Sequence, residues 1–110
     1  MDEQIKDLLS VFEQDLAAIQ KKLDAANQPG SLVTLDTIAT LLTELERTID
    51  SWNIKTDEFM QTHTFRPDKD EDRFETALYI DEKMMAIMIH AVAIDTRLRA
   101  MFKELLDRMP

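Results

Sequence analysis

Between Ala77 and Leu105, residues spaced alternately three and four apart are all apolar: Ala77, Ile80, Met84, Ile87, Ala91, Ile94, Leu98, Met101 and Leu105. A strand repeats every two residues. This repeat averages about 3.5, so the stretch is committed to a helix packed lengthwise on other helices. Its middle, residues 84–94, holds no Asp, Glu, Lys or Arg, in a chain that is 32% charged.

Two earlier seams have the same spacing. Ile5, Leu9, Phe12, Leu16, Ile19, Leu23 and Ala26 define a first helix over residues 3–27, and Asn27-Gln28-Pro29-Gly30 stops it. Leu35, Ile38, Leu42, Leu45, Ile49, Trp52 and Phe59, with Thr56 between the last two, define a second over 35–62. Its start reads as a Thr34 cap, with Val33 and Ile38 as a hydrophobic staple. Asn53 or Thr56-Asp57 would be the place for a kink or a restart, but the seam carries through them and favours one helix. The third helix reads as 69–108, opened by Asp68 and Glu71 in capping-box spacing, as Asp2 opens the first. His63 and Phe65 fall in the connection before it. A single Gly and three Pro in 110 residues are too little turn chemistry for an all-β fold. The expectation is all-α: three long helices in an up-down-up antiparallel bundle, one domain over residues 1–110.

The third helix has more apolar surface than such a bundle needs. Off its seam lies a second row, Leu78, Met85, Met88, Val92, Phe102 and Leu106, with Ile89 at the outermost position of its turn. Leu8, Val11, Leu41 and Ile54 are the chief extras on the other helices. Burying one such side chain is worth roughly 1.5–3 kcal/mol, and a contiguous row left in water invites aggregation. The row therefore predicts an interface. The first expectation is a two-fold homodimer in which helix three meets its copy antiparallel near Met88 and Ile89. The alternatives are a groove for a helix of another protein, which adaptable Met side chains suit, and an ordinary bundle core. Lys83, His90 and Arg97 recur along one edge of the helix, and Asp81 and Asp95 along the other. Opposite edges of opposite sign favour an antiparallel partner, and His90 is the candidate for pH sensitivity there. Arg47 with Asp50 and Arg99 with Asp95 read as ion pairs within helices.

Chemistry is sparsely signalled. The chain has no Cys, so disulfides, thiolate nucleophiles and Cys-based zinc sites are excluded. Asp68, Asp70 and Asp72 start with calcium-loop spacing, but Arg73 replaces the turning Gly and Tyr79 the bidentate Glu. Glu46/Asp50 and Glu71/Glu75 are carboxylate pairs of the kind that holds magnesium in helical nucleotide pyrophosphohydrolases of the MazG and all-α dUTPase type. The denser Glu runs of those enzymes and a phosphate-cradling basic cluster are missing, which leaves a magnesium-dependent hydrolase as a distant alternative. No catalytic residue, cofactor, metal or small-molecule substrate is indicated.

The net charge of −9 repels phosphate backbones and anionic membranes, so neither nucleic acid nor membrane is an expected partner. No basic segment and apolar run open the chain as in a signal peptide, and 84–94 is too short to span a bilayer. The expected setting is cytoplasmic. The functional expectation is a non-catalytic protein–protein interaction module: an acidic adaptor, assembly factor or export-type chaperone acting through helix three. Small acidic helical chaperones of bacterial flagellar and type III export systems share this general character, at the level of class alone. A phage- or plasmid-type inhibitor or immunity protein docking on a basic target is the other interaction reading.

Overall fold

The computed structural model describes residues 3–62 and 70–109 and contains three helices, α1 Glu3–Ala26, α2 Leu35–Thr62 and α3 Asp70–Asp107. At 1.5 Å per residue they are about 36, 42 and 57 Å long, and the bundle measures 66 × 19 × 18 Å. The expectations for Asp2, for the connection with His63 and Phe65, and for Asp68, Asp70, Glu71 and Asp72 as ligands or caps lie outside the described residues and side chains.

Contacts between helices set their directions. Lys22 on α1 donates to Glu44 on α2 at 2.8 Å, while Asp15, earlier on α1, accepts from Trp52, later on α2, so these two run antiparallel. His90 and Arg97 on α3 meet Gln20 and Asn27 in the same order, so α3 runs parallel to α1. The result is the up-down-up bundle, with every helix packed on the other two.

The ends follow the local chemistry. The α1 helix stops at Ala26, one residue before the expected boundary, although Asn27 N still donates to Leu23 O at 3.0 Å. Gly30 takes φ +85°, a left-handed conformation that costs a residue with a Cβ. Ser31 Oγ donates to Ala25 O at 2.8 Å, adding to the 3.3 Å bond that this carbonyl at the helix end accepts from Gln28 N. At the start of α2, Thr37 N donates to Thr34 Oγ1 at 3.2 Å, and Thr34 N approaches Thr37 Oγ1 at 3.5 Å. Thr34 is thus the cap, with Thr37 in the place that Glu or Gln takes in a capping box. Val33 packs on the core cluster to which buried Ile38 belongs, so both staple positions face the core. The α2 helix runs unbroken through Asn53 and Thr56, so neither is a restart. The α3 helix ends at Asp107, one residue short of the expected limit.

The α1 seam is buried from Ile5 to Leu23, and α3 buries Ile80, Ile87, Ala91, Ile94, Leu98 and Met101. The α2 helix departs from the simple seam. Leu41, an expected extra, is core, whereas Leu42 and Ile49 are half-buried. The cause is that α2 serves two neighbours: Leu41 lies toward Lys22 of α1, and Leu42 toward Ala91 and Val92 of α3. Trp52 is fully buried, with its ring centroid 5.5 Å from that of Phe12. Its indole N–H donates to Asp15 Oδ2 at 3.1 Å, so the largest core side chain carries its polar atom to a carboxylate at the bundle edge.

Candidate interaction face on the third helix

The apolar residues of α1 and α2 lie mostly on one side, whereas those of α3 are distributed over two. At about 100° per residue, Leu78, Met85 and Val92 fall within about 40° of one another and roughly 160° from the buried line of Ile87 and Ile94. The core cannot reach them. Leu78 is 52% exposed, Met85 67%, Ile89 68%, Val92 57% and Leu106 46%. Of the seven residues expected at the interface, Met88 and Phe102 differ, because both are half-buried against the core. They sit between the two sides of the helix, and Phe102 shares a groove with Ala39 and Leu42 of α2.

Phe74, outside the rows read from the sequence, is 64% exposed and belongs to the same side. It lies four residues before Leu78 and seven before Asp81, so extending the row backward by one step finds it. The acidic opening of the helix hides that step. With Phe74 included, the face is a second heptad seam. One set of positions is Leu78, Met85, Val92, Arg99 and Leu106; the other is Phe74, Asp81, Met88, Asp95 and Phe102. Three of the ten are charged.

Two of those charges neutralise each other. Arg99 Nε donates to Asp95 Oδ2 at 2.9 Å, and this hydrogen bond, together with the carboxylate charge, raises the guanidinium pKa above its ordinary value. The corresponding pairing of Arg47 with Asp50 is absent, because Arg47 lines the groove on the α1 side of α2 and Asp50 the groove on the α3 side.

The face continues onto α2. Val92, Asp95 and Arg99 border a groove of about 290 Å³ with Leu42, Ile49, Glu46 and Asp50. A neighbouring groove runs from Arg99 past Phe102 to Leu106, with Ala39 and Leu42 as its other wall. Glu46 and Asp50 thus open into the same groove as Asp95, but among the described residues no three acidic or His side chains converge closely enough to hold a metal ion.

The basic edge expected to flank the face lies elsewhere. His90 Nε2 is 2.9 Å from Gln20 Oε1, and Arg97 Nη2 donates to Asn27 Oδ1 at 3.2 Å. Lys83 lies over the Tyr79 ring at 5.6 Å. His90 and Arg97 therefore meet α1 and its C-terminal end, because α1 packs on that side of α3. The structure does not bring His90 together with the exposed row. Asp81 and Asp95, in contrast, lie within the row.

No described helix is long and apolar enough to cross a membrane. Compared with protein-family models, curated proteins and solved structures, the chain matches none.

Proposed function

We propose that this chain is a non-catalytic protein–protein interaction module of the cytoplasm, an acidic adaptor, assembly factor or export-type chaperone whose working surface is the outer face of α3. One observation carries the reading: a row of large apolar side chains from Phe74 to Leu106 stands exposed on a helix whose other side already fills the core. Six side chains at roughly 100 Å² each present on the order of 600 Å² of apolar surface, the upper end of the largest patch on an ordinary monomer and a size that is often functional. The net charge of −9 directs the face toward protein and away from phosphate backbones.

The test is capture from the native host with tagged wild-type protein and with Met85→Glu/Val92→Glu, identified by mass spectrometry. The reading requires a chain, its own or another, that the wild type retains and the variant loses. Equal retention by both, with unchanged helicity, removes the α3 face from the function.

A further inference from the structure

We propose that the occupant of this face is a second copy of the chain, seated antiparallel so that the two α3 helices cross level with residue 90. The proposal rests on the interaction reading above and names its partner. In an antiparallel helix pair, one set of heptad positions meets the other set of the partner at the same level. With the crossing at residue 90, Phe74 meets the partner's Leu106, Leu78 the partner's Phe102, and Met88 the partner's Val92. Asp81 meets the partner's Arg99, so the acid that has no ion pair within the described part of its own chain is set against the only cation of the row. Met85 meets the partner's Asp95, which lies 2.9 Å from Arg99 of its own helix, so each Arg99 is shared between that Asp95 and the incoming Asp81.

The outer flank agrees. Ile89 approaches its own copy beside the axis, Glu82 lies near the partner's Thr96, and Glu75 near the partner's Lys103. No like charges face each other there, which matters in a chain of net charge −9.

Competing arrangements fail on charge. A parallel pair sets Asp81, Asp95 and Arg99 each against its own copy. Sliding the antiparallel pair by one heptad in one direction puts Phe74 against the partner's Arg99 and Leu78 against the partner's Asp95. Sliding it in the other puts Met88 against the partner's Arg99 and Val92 against the partner's Asp95. Each slide sets all three charges, Asp81, Asp95 and Arg99, against apolar side chains, whereas the register above pairs Asp81 with Arg99 and leaves only Asp95 opposite an apolar residue. The area also fits: on the order of 600 Å² of apolar surface per chain, before the α2 flank is added, approaches the ~800 Å² per partner of a standard interface.

The experiment is sedimentation equilibrium on the full chain as wild type, Asp81→Arg, Arg99→Asp and the double variant. The wild type should show the mass of two chains. Each single reversal should raise the dissociation constant about tenfold or more, and the double should recover most of that loss. Positions 81 and 99 lie about 27 Å apart along one helix, so recovery reports a contact between chains. Losses that add without recovery overturn the register. A one-chain mass at roughly 100 µM overturns self-pairing and leaves the α3-face reading to the capture experiment, where a different protein then takes the copy's place. The cysteine-free chain supplies an independent check. Under mild oxidation Ile89→Cys should form a two-chain disulfide, and Val11→Cys, exposed on α1, should not. Equal cross-linking of both overturns the proposal.

Discussion

Val92 and Ile94 are two residues apart on α3, both β-branched and both apolar, yet one is 57% exposed and the other 1%. Substitution at each separates the two sides of the helix. Ser and Val have similar helix propensity, so Val92→Ser costs the helix itself little. In an isolated chain the change should cost under about 0.5 kcal/mol. In the pair, completing the burial of a Val already part-covered is worth about 1 kcal/mol per copy, or about 2 kcal/mol per dimer. The dissociation constant should therefore rise roughly 30-fold. Ile94→Ala should behave in the opposite way, removing about 2–5 kcal/mol from unfolding at any concentration. Sedimentation equilibrium gives the association constant, and urea melts across a dilution series separate it from chain stability. Two results refute the reasoning: a dissociation constant for Val92→Ser within about threefold of wild type, or a loss of more than about 1.5 kcal/mol in the dilute chain. The second would mean that α2 already holds Val92.

Other expectations concern the bundle itself. Thr34→Ala should cost about 1 kcal/mol in urea unfolding by removing the α2 cap, and a cost near zero would discount the 3.2 Å bond. Gly30→Ala should cost about 1–2 kcal/mol; since nothing lies within 4 Å of the added Cβ, the cost is purely conformational, and a neutral result would mean that the reduced freedom of the unfolded chain offsets it. Trp52→Phe should cost about 3 kcal/mol or more, through the lost ring volume and the lost bond to Asp15. A double-mutant cycle with Asp15→Ala should find coupling of about 1 kcal/mol, and strict additivity would show that the bond contributes nothing. His90→Gln should leave association equal to wild type at about pH 8 and about pH 5.5, because His90 meets Gln20 of α1 and not the exposed row. Loss of a wild-type pH dependence in that variant would return His90 to the interface.

Most of the fold was legible because helical periodicity is local. The seams from Ile5 to Leu23 and from Ile80 to Met101 read directly as core, and Thr34 and Gly30 mark ends through their own backbone chemistry. Much of the candidate face was legible for the same reason, since Leu78, Met85 and Val92 recur every seven residues away from the buried line. Phe74 belongs to that repeat but was masked by the acids around it.

The remainder depended on where α1 and α2 sit around α3, which no local repeat encodes. Periodicity places Lys83, His90 and Arg97 on one edge of α3; only the bundle shows that α1 lies along that edge and engages His90 and Arg97. Periodicity places Leu41 and Leu42 side by side; only the two neighbours of α2 decide that Leu41 is core while Leu42 remains half-buried. Met88 and Phe102 follow the same rule: both are half-buried against the core, Phe102 beside Ala39 and Leu42 of α2. Sequence determines which residues of a helix share a face, because that follows from its pitch alone. Tertiary structure decides which face is covered, because coverage depends on the positions of residues far away in the chain.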